Sequence, residues 1–88
     1  MTLEQVQVLK MGDLVRYKDE ESKAESIEMV ICEWGKDEIK SHGTVPRVVR
    51  LKTIAIVNQS EDDEDNEAYI GEEGWITEYN TARFERIA

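Results

Sequence analysis

The stretch Met11 to Lys18, Met-Gly-Asp-Leu-Val-Arg-Tyr-Lys, constrains the fold of this chain more than any other. Gly12-Asp13 predicts a tight turn, because glycine reaches positive φ and an aspartate side chain bonds its own backbone. Leu14 to Lys18 then predicts a short strand, with apolar or aromatic residues interleaved with Arg16 and Lys18. A chain that turns here and leaves as a half-buried strand needs further strands to pair with.

Taken in order, the rest supplies them. Residues 1 to 10 suit either a helical turn opened by a Thr2–Gln5 capping box or a strand carrying Val6 and Val8, and the strand is favoured. Residues 19 to 26 read as a solvated loop. Ile27 to Trp34 is the second strand, with Val30, Cys32 and Trp34 on one face and Ile27, Met29 and Ile31 on the other. Apolar residues on both faces predict a central strand. Residues 36 to 46 are loop, closing at Pro46, which belongs at a strand entrance because it lacks a ladder donor.

Arg47 to Gln59 is the longest strand, and its alternation breaks midway. A β-bulge near Lys52-Thr53 would return Ile54 and Ile56 to the core; the alternative is a face covered by the N-terminal segment. Ala68-Tyr69-Ile70 suggests a short strand, and Gly71 to Gly74 a turn into a strand over Trp75 to Tyr79. Asn80-Thr81-Ala82 reads as one helical or 3₁₀ turn, and Arg83 to Ile87 as a last strand burying Phe84 and Ile87. With 88 residues and many turn signals, one small mainly-β barrel domain is the expected architecture.

The motifs carry a resemblance. Gly12-Asp-Leu-Val-Arg-Tyr-Lys, Val30-Ile-Cys-Glu-Trp-Gly and Gly74-Trp-(x)₈-Phe-Glu-Arg-Ile resemble the small SH3-like barrel proteins of tailed bacteriophages, cyanophages among them. The resemblance implies a five-stranded SH3-like barrel in which Gly12 to Val15, Trp34, Trp75 and Phe84 to Ile87 fill the family's positions. Most members have no assigned activity, so it implies a fold more than a function. Short SH3-like subunits of photosynthetic and redox complexes open and close similarly, which keeps a subunit role in view. The longer third strand and an acidic insertion depart from the group's pattern.

Charge narrows the function. The net charge is −9, and residues 61 to 73 hold eight acids and no base, so the remainder is near neutral. Glu61, Asp62, Asp63, Glu64, Asp65 and Glu67 form the densest part, six acids in seven residues. Such a run is either a solvated loop kept extended by its own repulsion or a contact surface for a basic partner, where it speeds association. Asp62, Glu64, Asn66 and Glu73 stand at calcium-loop positions, but Glu67 occupies the place of the obligatory glycine, so no metal site is expected. Arg47, Arg50 and Lys52 are the one basic cluster, too little to hold a polyanion against the chain's net charge, so no direct nucleic-acid binding is expected.

Catalysis finds no motif. His42 is a lone loop histidine, and Cys32 alternates with Val30 and Trp34 as a buried thiol would. One cysteine and one histidine make neither an internal disulfide nor a structural zinc site. No cofactor is expected. Tyr17, Trp34, Trp75 and Tyr79 are the candidates for an aromatic groove holding an extended peptide, with core packing the alternative for both tryptophans. No apolar run approaches the roughly 20 residues that span a bilayer and no signal segment is recognisable, so the chain is expected to be soluble and cytoplasmic, in a host cytoplasm if phage-encoded.

The expected function is a non-enzymatic protein-binding module that contacts a basic partner through residues 61 to 67. The alternatives are a structural subunit of a virion or larger assembly and an acidic mimic of nucleic acid.

Overall fold

The computed structural model describes residues 1–36, 47–61 and 67–88. The sequence positions Asp62 to Asn66 of the acidic run, and the loop containing His42 and Pro46, lie outside the described residues.

The first residues fold as a helix, α1 (Leu3–Gln7), and not as the strand expected. The capping box decides it: the Gln5 N–H donates to Thr2 Oγ1 at 3.2 Å and the Thr2 N–H to Gln5 Oε1 at 2.9 Å. A strand would have put Val6 and Val8 on one face. The helix instead pairs Val6 with Leu9, both buried, and leaves Val8 outside.

Five strands follow: β1 (Leu14–Lys18), β2 (Glu25–Cys32), β3 (Val49–Asn58), β4 (Glu73–Ile76) and β5 (Phe84–Arg86). They form one antiparallel sheet in the order β4-β3-β2-β1-β5, with β2 at its centre. The sheet is open. Among the described residues β4 and β5 are its two edges and do not pair, so the closed barrel expected from the strand count is not formed.

The Gly12-Asp13 turn holds this sheet together. Gly12 has φ +90°, its N–H donates to the Val30 carbonyl at 2.9 Å, and the Val30 N–H donates back to the Asp13 carbonyl at 2.9 Å. Asp13 Oδ2 accepts from the Lys10 N–H at 2.8 Å and meets Arg86 at 3.4 Å. One residue on, the Leu14 N–H donates to the Ala88 carbonyl and its carbonyl accepts from Ile87, so the turn is tied to β2 and to the C-terminal strand together.

The core lies on one face. Val15, Val30, Val49, Leu51, Ile76 and Phe84 cluster there with Val6 and Leu9 from the N-terminal segment. The other face carries the half-buried Leu14, Ile27, Met29 and Ile31.

Several boundaries differ from expectation. The loop after β1 is shorter, because β2 begins at Glu25 and Ser26 is buried. Trp34 lies beyond β2 in a turn, half-buried against the core. The bulge in β3 exists one residue later than expected: Ile27 faces Ala55 while Glu28 faces Thr53, so Ile54 is the extra residue. It brings Ile56 opposite Ser26 on the inner side, half-buried, but leaves Ile54 itself exposed. Ala68 to Ile70 form no strand, since Gln59 holds both the Ala68 N–H and carbonyl through its side chain and the chain turns at Gly71. Gly74 falls inside β4, which ends at Ile76. A 3₁₀ turn, Thr81–Arg83, precedes β5. Phe84 is buried as expected; Ile87 is not, being 41% exposed just past the end of β5.

Candidate functional site

The inner face of β2 reads Ser26-Glu28-Val30, and all three residues are buried. Strand alternation puts Glu28 there. It lies between Val15 on β1 and Thr53 on β3, in the same cross-sheet row. Only 9% of Glu28 is exposed. Its Oε1 accepts from the Thr53 hydroxyl at 2.9 Å, while Oε2 is shielded from solvent and has no hydrogen-bond partner among the described residues. A buried oxygen left so costs about 1–3 kcal/mol. Burial pushes the Glu28 carboxyl above its ordinary range and the negative charge of Glu72 pushes it the same way, against the opposing pull of the Thr53 bond.

Glu28 lines a cleft of about 230 Å³ on the inner side of the open sheet. Leu51 and Thr53 from β3 line it beside Glu28. Tyr17 and Phe84 form an aromatic wall, their ring centroids 5.3 Å apart and tilted by 52°. Their contact follows from register, because Tyr17 on β1 faces Phe84 on β5. Across the cleft stands Gly74, opposite Leu51, where an added Cβ would meet nothing within 4 Å. Glu72, Asn80 and Arg83 also line it. Asn80 is fixed there: its Nδ2 donates to the Trp75 carbonyl at 3.0 Å and its Oδ1 accepts from the Thr77 N–H at 2.7 Å.

The four aromatic residues expected to form a groove do not assemble. Tyr17 belongs to the cleft. Trp75 borders the cleft but faces Arg50 on the neighbouring strand, and alternation sends its side chain to the opposite face from buried Ile76. Trp34 packs against the core, and Tyr79 is 90% exposed on the turn after β4, its phenol pushed up by a bond to Glu78. Phe84 and Glu28 are the residues that take their place.

Of the six acids in residues 61 to 67, Glu61 and Glu67 are described and both are exposed; the Glu61 N–H donates to the Ser22 carbonyl at 2.7 Å. The run ends inside the sheet. The Thr53 N–H donates to the Glu72 carbonyl at 2.8 Å, and Glu73 pairs with Arg50 on the outer face. Arg50 and Lys52 therefore lie on the wet side of β3, as alternation predicts.

Cys32 is half-buried at the end of β2. Among the described residues no group of three metal-binding side chains converges. No described helix is long and apolar enough to cross a membrane. No protein-family model matches this chain, and no curated protein or solved structure is significantly similar to it.

Proposed function

We propose that this chain is a non-enzymatic protein-binding module for a partner with a basic surface, contacted through the acidic stretch from Glu61 to Glu67. The observation that carries this reading is where the stretch leads: the chain beyond it enters a cleft whose buried ionisable group, Glu28, is also an acid. The acidic stretch and the cleft that follows it in the chain thus both offer carboxyl groups, which is what complementarity to a cationic surface requires. The strand order and the 3₁₀ turn ahead of β5 support an SH3-like connectivity, here in an open sheet, akin to that of the barrel proteins of phages that the sequence resembles. A cytoplasmic setting, in an infected host if phage-encoded, belongs to the same reading.

A structural subunit is the second reading, favoured by the exposed Val57, Tyr69 and Ile70 and by Ile27, Met29 and Ile31 on the outer face of β2. Salt separates the two. The protein is immobilised, a bacterial lysate is passed over it and the column is eluted with rising NaCl, alongside a variant carrying Asp62→Asn, Asp63→Asn, Glu64→Gln and Asp65→Asn. A partner released at moderate salt and lost with the variant supports the acidic contact. Retention through high salt, equal in both proteins, replaces it with an apolar subunit interface.

A further inference from the structure

We propose that the Glu28 cleft receives the cationic tip of a lysine or arginine side chain from the partner, the Glu28 carboxylate being the group that binds it. The inference rests on the basic-partner reading above and assigns it a specific pocket.

Four observations meet there. Glu28 is buried, held from one side by Thr53, and keeps one oxygen without a partner among the described residues. A buried acceptor in that state gains more from an arriving donor than a solvated one, because hydrogen bonds are stronger in low-dielectric surroundings. The aromatic wall of Tyr17 and Phe84 offers the π-faces and apolar surface along which a lysine or arginine stem packs. Gly74 leaves the opposite side open to a side chain.

The carboxylates facing the cleft favour a cation, with Arg83 as the opposing charge. Glu72, just ahead of β4, adds a second negative charge close enough to act on Glu28. Glu73 on β4 is occupied by Arg50 of β3 on the outer face. Arg83 of the 3₁₀ turn lines the cleft and lies within electrostatic reach of Asp19, in the turn after β1. Tyr17 brings an uncharged phenol. An anion would meet Glu28 and Glu72 together, and two carboxylates are too few to hold a metal ion without further ligands. Binding a cation favours the ionised form of Glu28, so the complex releases a proton on forming and tightens as pH rises.

The probe is octalysine, titrated at low ionic strength into the ¹⁵N-labelled protein, with amide shifts read for the wild type, Glu28→Gln and Gly74→Leu. Gln keeps the acceptor for Thr53 and removes the charge, while Leu at 74 fills the cleft from a backbone position that tolerates a side chain. In the wild type the amides of Tyr17, Thr53 and Phe84 shift with the peptide, and affinity is higher at about pH 7.5 than at about pH 5. Both variants stay folded by amide dispersion, lose the cleft shifts and bind about tenfold more weakly. If Glu61 and Glu67 shift while the cleft amides stay silent, or if Glu28→Gln keeps the cleft shifts, the cleft assignment falls and the basic-partner reading survives. Absence of any shift removes both.

Discussion

Glu28 shows how one residue links stability to the site. Its carboxyl is raised by burial first and by Glu72 second. A folded-state value above the unfolded one means that the native chain holds the proton more tightly, so its stabilising contribution is full below about pH 4.5, the ordinary glutamate value, and is lost as pH climbs through the raised value. Asp19, lowered by the Glu21 N–H, acts in a different window, because its contribution disappears only as pH falls below its ordinary value near 3.8. Glu28→Gln removes the first effect alone. The melting-temperature advantage of that variant should widen from about pH 4.5 to neutrality, by roughly 4–8 °C for a gain on the order of 1 kcal/mol. A difference that stays constant or shrinks with pH contradicts the assignment. Gly12 makes the opposite kind of demand. Its φ of +90° is open to glycine and strained for alanine, and the turn it makes holds β2. Gly12→Ala should cost about 1 kcal/mol or somewhat more, seen as a lower urea midpoint with an unchanged m-value.

At the scale of elements, the strands were legible where a local rule and the tertiary structure agree. Gly12-Asp13 followed by Leu14 to Lys18 satisfies turn chemistry and alternation at once, and β1 begins where both say. The apolar character of both faces of β2 marked it as central, and it is. The site was missed there although a signal existed: Glu28 alternates with Val30 on a strand apolar on both faces, which puts its carboxyl among buried side chains. Alternation also pointed to Val6 and Val8, yet the capping box and the Val6–Leu9 spacing prevailed, since a helix buries two side chains there without needing a neighbouring strand. Ile87 was misplaced because β5 stops at Arg86, a boundary set by pairing with β1 and invisible in composition. Core energetics follow these boundaries. Leu51, 1% exposed in the middle of β3, should lose about 2–5 kcal/mol as Leu51→Ala, whereas Ile87→Ala should stay within roughly 0.5 kcal/mol. Denaturant melts of the two variants test the distinction. Comparable losses would mean that Ile87 is packed after all.

For the whole molecule, charge is the term that composition announces and topology redistributes. The aromatic residues scattered because strand parity, which no composition reveals, sent Tyr17 inward and the Trp75 side chain to the outer face. The acids, by contrast, are clustered in the sequence itself, six of them in the seven residues from Glu61 to Glu67. The ion pairs among the described residues, Arg16–Glu25, Lys36–Glu33, Arg50–Glu73 and Arg86–Asp13, all include a partner with a substantially exposed side chain. Pairs of that kind contribute about 0–1 kcal/mol each and weaken with salt. Opposing them is the self-repulsion of a chain at −9, compressed in the folded state and relaxed in the expanded one. The two effects answer to ionic strength with opposite signs, and the excess of unpaired acids makes repulsion the larger. Raising NaCl from about 0.02 M to about 0.3 M shortens the Debye length from roughly 20 Å to roughly 6 Å, so repulsion across the molecule fades while contact pairs lose less. The melting temperature should therefore rise by several degrees over that range, and the same salt should release the octalysine probe. A melting temperature that falls with salt would assign the stability to the surface pairs and leave the acidic stretch too distant from the folded body to repel it.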